Sequence, residues 1–485
     1  MFFYNSSHQG GSCSTIPTDK HEHKTTHKIA ISEEASRPCP PSSRYEWLRQ
    51  IMDDRNNQSS KPQIQRVSPV LQMNGWRYYN PIVDSLGPYH HGKPELELVE
   101  RFKPIIAREF VLESGKPVDA FYNKILQVAG DARNSYVGGS TNQLSDEAFA
   151  QMMFLDSCFI LQMIDCIVHN KLEMKHMIIN HLGFLVSTLM IPDLFLLENQ
   201  IPFFVLQALM SLKFQGDEGA KMIETFIDDI FLASSFPQAQ SQKEEARDPQ
   251  CLQPLHLLEF LRSKLLHECG KDHQKLQSYK LHQLKSKKKT QGTAMDHPDL
   301  FCSVTELKAK RIHFKPSNTR CLKNIKFKSN CVYGQLMLPP KVIGPQTKQV
   351  FLNLIAYEMG PNTPNDMGVA SYIYFMNSLI NRPDDVAELR SQGILLNFLG
   401  SDKEVLEMFK EIAAFSMHNL DTYKEVKECI QKHCNSKMKT WIAEVVDKHF
   451  SNPWTVVALF AAIFIIALSI IQTYFTVFPI PNRHI

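Results

Sequence analysis

The 485-residue sequence has no excess of charge of either sign: 53 Lys and Arg stand against 50 Asp and Glu, a net +3. A dedicated nucleic-acid binder carries a clear basic surplus, so that class is excluded. Glycine (20) and proline (27) are too scarce for a fibrous or low-complexity chain. The 11 cysteines are odd in number and contain no C-x-x-C pair, which argues for reduced, mostly buried thiols rather than a disulfide framework. Catalytic signatures are missing as well: no G-x-S-x-G elbow, no Walker A loop, no H-E-x-x-H and no G-x-G-x-x-G. No reaction, cofactor or metal follows from the residues. What the sequence does contain, 43% apolar and 21% charged residues, is the composition of a globular chain. Its length allows about three domains, or one large domain with appendages.

One hydrophobic run dominates. No charged residue occurs between Phe450 and Asn482, and Trp454 to Phe478 is apolar enough to cross a hydrocarbon core of about 30 Å as a helix. Pro453 suits the first helical turn, while Trp454 at one end and Tyr474 and Phe475 near the other suit the interfacial belts of an anchor that ends at Phe478. Lys437, Lys439 and Lys448 precede the run and only Arg483 follows it, which predicts a cytosolic body. A signal peptide is not evident, since polar residues follow Met1-Phe2-Phe3-Tyr4 at once. The expectation is a single-pass, tail-anchored protein of the plasma membrane or endoplasmic reticulum, with the short tail 479–485 beyond the anchor.

Residues 1–60 are rich in Ser, His, Lys, Asn and Pro and are expected to be a disordered tail. From Ile64 the pattern is globular. Ser145-Asp146-Glu147 reads as a helix cap and acidic first turn, followed by densely apolar residues from Phe149 to Ile164. Ile178 to Leu212 is more apolar still, but Pro192, Pro202 and the polar residues Asp193 and Glu198 to Gln200 divide it. Buried helices of a soluble core are the expected outcome. Residues 218–235 and 254–267 add two amphipathic helices. Between 269 and 300 lies a lysine-rich linker, read as a solvated insertion, with a nuclear-localisation or anionic-lipid patch as the functional alternative. Alternating runs at 311–315, 323–328 and 334–338 predict a small antiparallel sheet. Helices resume at Gln349 to Glu358 and Pro383 to Arg390, then after the Ser401-x-x-Glu404 capping box, with a last helix from Thr422 to Phe450.

Seven segments, taken together and in order, resemble the plant family called domain of unknown function 247 (uncharacterised protein family 0481). They begin with Ser85 to Gly92 (SLGPYHHG), Phe154 to Phe159 (FLDSCF) and Asp193 to Phe204 (DLFLLENQIPFF). Ser303 to Leu307, Asn353 to Glu358, Gly393 to Asn397 and Asn452-Pro453-Trp454 complete the set. The resemblance implies a mostly helical plant protein with a C-terminal membrane helix and no established enzymatic activity. Some relatives resemble determinants of self-incompatibility in grasses.

Two places invite chemistry. Adjacent His90 and His91, flanked by Gly87, Pro88, Tyr89 and Gly92, offer imidazoles but no third ligand of the kind zinc needs. A turn whose imidazoles hydrogen-bond backbone is the simpler reading. Asp193, Glu198, Asn199 and Gln200, before Pro202, lie in a very apolar neighbourhood where carboxylates act either as acids and bases with shifted pKa values or as structural partners. The structural reading has Asp193 capping a following helix and Glu198 to Gln200 satisfying backbone at the break. Cys158 reads as a small packed hydrophobe rather than a nucleophile. The expectation is a mainly α chain: a multi-helix body over 64–450 with a small antiparallel β element and one transmembrane helix over 454–478. Its function is expected to be recognition or signalling through an unidentified protein partner, with the membrane bound through the C-terminal helix. The alternatives are a membrane-bound hydrolase using the His90-His91 or the Asp193-Glu198 neighbourhood, and a lipid-surface adaptor acting through the lysine run.

Overall fold

The computed structural model describes residues 62–73, 75–231, 254–266, 302–330, 332–361, 363, 366–414, 416–419, 421–435 and 453–477. The expected tail (1–60), the lysine-rich linker (269–300), Phe478 and the segment 479–485 lie outside the described residues.

A short helix α1 (Pro69–Gln72) and two 3-10 turns (Trp76–Tyr78 and Pro94–Leu96) lead into α2 (Glu97–Ser114). In α2, Val99, Phe102, Lys103, Ile106 and Phe110 recur at intervals of three and four, so one stripe faces inward. Helices α3 (Val118–Asn134), α4 (Asp146–Val168), α5 (Leu172–Asp193), α6 (Phe203–Lys213) and α7 (Glu218–Phe231) follow. The Ser145 side chain caps α4 by accepting the Ala148 N–H, and Asp146 and Glu147 place negative charge at its positive end. Most of α4 is buried, and α2, α3, α6 and α7 pack around it. It is the axis of the first half.

The second half comprises α8 (Leu257–Leu266), α9 (Val304–Ala309), α10 (Thr347–Glu358), α11 (Gly368–Leu379), α12 (Pro383–Ser391), α13 (Asp402–Ala414) and α14 (Lys424–Cys434). Here α11 packs against α8, α10 and α13. One hydrophobic core runs from Ile64 to Ile430 through both halves. The expected helix from Thr422 to Phe450 is observed only as α14, and residues 436–452 lie outside the described set.

The sheet corrects the antiparallel expectation. Strands β1 (Ile312–Pro316), β2 (Lys326–Ser329) and β3 (Gly334–Leu338) stand in the order β1-β3-β2, with β1 parallel and β2 antiparallel to β3. After β1 the chain turns aside to bury Cys321, Leu322 and Ile325, and the Leu322 N–H donates to the Leu265 carbonyl at 2.8 Å. It therefore returns on the far side of β3. A second, two-stranded parallel pair joins β4 (Lys341–Ile343) to β5 (Leu395–Asn397).

The expectation of buried helices over 178–212 holds for the latter part only. Helix α5 breaks at Gly183 (φ 81°, ψ 159°), and Phe184 and Leu185 are 72% and 71% exposed. Just Met174, Ile178, Leu182 and Met190 of its large apolar side chains are buried, a narrow i, i+4 stripe that seats the helix by one edge. By length and composition α4 and α5 are both apolar enough to cross a membrane; α4 is mostly enclosed, α5 mostly not. The last helix, α15 (Pro453–Val477), is 25 residues long, and its described side chains, Phe460 to Tyr474 among them, are exposed.

Lys341 in β4 is buried, and its Nζ has no hydrogen-bond partner. Burial pushes the amine down to about 7, with Arg320 acting in the same direction. Between that value and the ordinary lysine value, the unfolded chain binds a proton that the folded chain does not, so this group makes stability rise with pH. Lys341→Met is expected to stabilise the fold at pH 7 by about 2–4 kcal/mol and to flatten the pH dependence from 7 to 10. Urea unfolding of both forms across that range checks it; an unchanged slope refutes it.

Candidate functional site

The turn that carries His90 and the break that carries Glu198 are far apart in sequence and meet in the first half of the body. Gly87 adopts φ 74°, and a Cβ there would come within 2.9 Å of both the Gln200 carbonyl and the Tyr136 hydroxyl. Only glycine fits that approach. Tyr89 ties the same turn to the chain start, its hydroxyl donating to the Ile64 carbonyl at 2.6 Å.

Asp193 does not cap a following helix. It is the last residue of α5, and its Oδ2 accepts the N–H groups of Ile82 and Val83 at 2.9 Å and of Asp84 at 3.2 Å. Asn199 works in both directions: Oδ1 accepts the Leu86 N–H at 2.7 Å, and Nδ2 donates to the carbonyls of Asp84 and Asp193. Gln200 donates to the Leu194 and Leu196 carbonyls and accepts the Leu258 N–H at 3.0 Å. Glu198 accepts the Val67 N–H at 2.8 Å. Pro202 precedes α6, where its missing N–H costs nothing, and the Phe203 N–H donates to the Leu255 carbonyl. These side chains supply to irregular backbone what a helix or sheet would supply internally.

Directly beneath the turn lies a buried charge cluster that reading the sequence missed. Lys103, on the inward stripe of α2, has no exposed surface. Its Nζ reaches Asp156 of α4 at 2.6 Å and Asp84 at 3.2 Å, and also donates to Glu100 and to the Ser85 carbonyl. The second Asp156 oxygen accepts the Gly87 N–H at 2.8 Å. Burial pushes Asp84 up to about 8 and Asp156 up to about 6, with Lys103 opposing both. Burial likewise lifts Asp193 to about 6 despite its three N–H donors. Lys103, surrounded by carboxylates, is held above the ordinary lysine range and keeps its proton. The available signal was a lysine at a position of α2 that the helical period assigns to the apolar face.

The two histidines part company. His90 is 3% exposed; its Nδ1 lies 2.8 Å from Lys93 Nζ and its Nε2 3.6 Å from Glu198 Oε2. Its imidazole thus faces side chains rather than the backbone partners expected for it, and burial drives its pKa down to about 3, leaving it neutral. His91 is exposed, 3.9 Å from Glu100. Among the described residues no group of three His, Cys, Asp or Glu side chains is arranged to hold a metal ion. Cys158 is buried in α4, its thiol pushed up by burial, as a packed hydrophobe would be. Two surface depressions lie elsewhere, one of about 370 Å³ beside Glu428 and Lys432 and one of about 280 Å³ beside His169 and Lys221. The arrangement around Lys103 and His90 locks two chain segments together; its charged atoms face one another.

At pH 7 Lys103→Met leaves the Asp156 carboxylate buried without a counter-charge and is expected to cost about 3–5 kcal/mol of stability. The raised carboxyls have a distinct signature. The folded chain holds protons that the unfolded chain releases above about 4, so their contribution to stability falls as pH rises from 4 to 8. Asp84→Asn is expected to make that decline shallower between pH 6 and 8. Denaturant titrations at stepped pH check both, and parallel pH profiles for wild type and Asp84→Asn refute the second.

A profile of plant proteins of unknown function, domain of unknown function 247, matches residues 64–468, and the chain belongs to that family. An Arabidopsis thaliana UPF0481 protein is 29% identical over 408 residues, covering 81% of this chain and 82% of its own. A putative UPF0481 protein of the same plant is 23% identical over 478 residues, covering 82% and 87%. No solved structure matches the chain.

Proposed function

We propose that this member of the plant family is a membrane-anchored recognition or signalling protein, acting through protein–protein contacts made by a body on the cytosolic side. The observation that carries the reading is α15, a 25-residue apolar helix whose described side chains have no cover. Large apolar surfaces left open in water mark membrane or partner contacts. The lysines upstream of the helix favour a cytosolic body. The buried cluster supports recognition over catalysis, since Lys103, Asp84 and Asp156 face one another in the interior and His90 is buried against Lys93 and Glu198. Recognition of the self-incompatibility type is the form that the family resemblance favours.

A membrane-bound hydrolase is the second reading. It draws on the approach of His90 to Glu198 at 3.6 Å, and it is weakened by the burial of both side chains.

The test uses the full chain in microsomes. Alkaline extraction is expected to leave it in the membrane and to release a chain lacking residues 453–477. Protease is expected to digest the body from outside, with Asn5 and Asn57, both in N-x-S sequons, unglycosylated. Release of the full chain by alkali defeats the anchor; glycosylation of either asparagine puts the body in the lumen and turns the reading to cell-surface recognition.

A further inference from the structure

Cys158, Cys166 and Cys321 are buried, in keeping with inert packed thiols, whereas Cys302 and Cys434 are half-buried at the edge of the core. In sequence the latter two are remote, one just before α9 and the other at the end of α14. The sheet brings those places together. Ile312, Gly334 and Ser329 are register partners in one row across β1, β3 and β2, each strand about 5 Å from the next. At the β2 end of this row the Ser329 hydroxyl meets His433 Nδ1 at 2.8 Å, and the Phe327 ring stands edge-on to the same imidazole. Cys434 is the next residue of α14. At the β1 end, Lys310 lies two residues before the row, and its Nζ donates to Cys302 Sγ at 3.7 Å. Gly334 holds the middle position, and Phe327 and Ile312 close over it, 2.8 Å and 3.0 Å from where a Cβ would stand. Lys310 and Cys302 accordingly act on the Cys434 thiol: burial pushes it up, Cys302 adds to the rise and Lys310 opposes it.

Two thiols and an amine at one edge of a sheet can do what a lone buried thiol cannot. Lys310 sets a positive charge beside the Cys302 sulfur, where the reacting anion forms. Half-burial leaves that sulfur open to a small oxidant such as hydrogen peroxide. The Cys302 thiolate attacks one peroxide oxygen, the O–O bond breaks, and with one proton taken up water leaves behind a sulfenic acid. The Cys434 sulfur then attacks the Cys302 sulfur; its proton and the hydroxyl depart as a second water, and the S–S bond forms. Two thiols are oxidised and one peroxide is reduced to two waters.

We propose that Cys302 and Cys434, with Lys310 beside the sulfur that reacts first, form a reversible disulfide under peroxide that staples α14 to the start of α9. Helix α14 is the last described helix before α15, and Ile430 and His433 are its buried residues. The bond converts that narrow seat into a covalent tie to the chain that follows the lysine-rich linker.

The test treats the full-length chain, first reduced, with hydrogen peroxide, blocks the remaining thiols with N-ethylmaleimide and maps linked tryptic peptides by mass spectrometry. Cleavage after Lys427, Lys432 and Lys437 puts Cys429 and Cys434 in separate peptides. Cys429, exposed on the same helix, serves as the comparison. A Cys302–Cys434 link is expected in excess of Cys302–Cys429 by about tenfold or more, since disulfide geometry is exacting. Dithiothreitol is expected to remove it, and oxidation in urea to abolish the preference. Lys310→Met is expected to slow its formation about fivefold or more. Cys434→Ser is expected to leave a Cys302 sulfenic acid that dimedone captures. No Cys302–Cys434 link, equal linkage to Cys429, the same preference in urea, or an unslowed Lys310→Met chain overturns the proposal.

Discussion

A single protonated lysine amine, enclosed between two helices and a turn, sets the terms for the first half of this protein. Burying an ammonium group is costly unless partners surround it, and Lys103 finds them on α4 and on the turn at 84–85, besides Glu100 of its own helix. Asp156 must therefore face inward from α4, and the turn at 84–87 must present both the Asp84 carboxylate and the Ser85 carbonyl. Neither α2 nor α4 can slide by a turn without breaking these contacts. The cluster fixes how α2 and α4 mate more strictly than apolar packing would, since apolar side chains tolerate small shifts that a buried charge does not.

That constraint passes outward through side chains acting in place of secondary structure. The stretch from 79 to 93 contains no helix or strand, and its N–H groups would be unsatisfied in an apolar surrounding. Asp193 and Asn199 satisfy four of them from the break between α5 and α6. Asn353 extends the same device into the second half: it accepts the Leu197 N–H at 2.9 Å and donates to the Tyr78 carbonyl at 2.8 Å. Asn353, a buried polar residue inside α10, thus joins the two halves.

The exterior has the opposite character. Helix α5 ends in the residue that anchors the 82–84 backbone, yet its Leu172, Ile179, Phe184 and Leu185 side chains are uncovered. Helix α15 is uncovered along its described length.

Local features were legible in the sequence. The Ser145 cap, the dense apolar period of α4, the break between Pro192 and Pro202, the glycine turn at 87 and the positions of β1 to β3 all depend on residues within a few positions of one another. The tertiary structure alone decided which partners those features meet. Asp193 accepts N–H groups from residues more than a hundred positions earlier, Lys103 finds Asp156 on a different helix, and β1 lies parallel to β3 because the intervening chain goes first to α8. Even the burial of α5 escaped its composition, which is largely apolar. Periodicity and capping are short-range properties that a sequence carries in its own order. Whether an apolar face is covered, and which carboxylate answers a buried lysine, is settled only when distant segments compete for the same space.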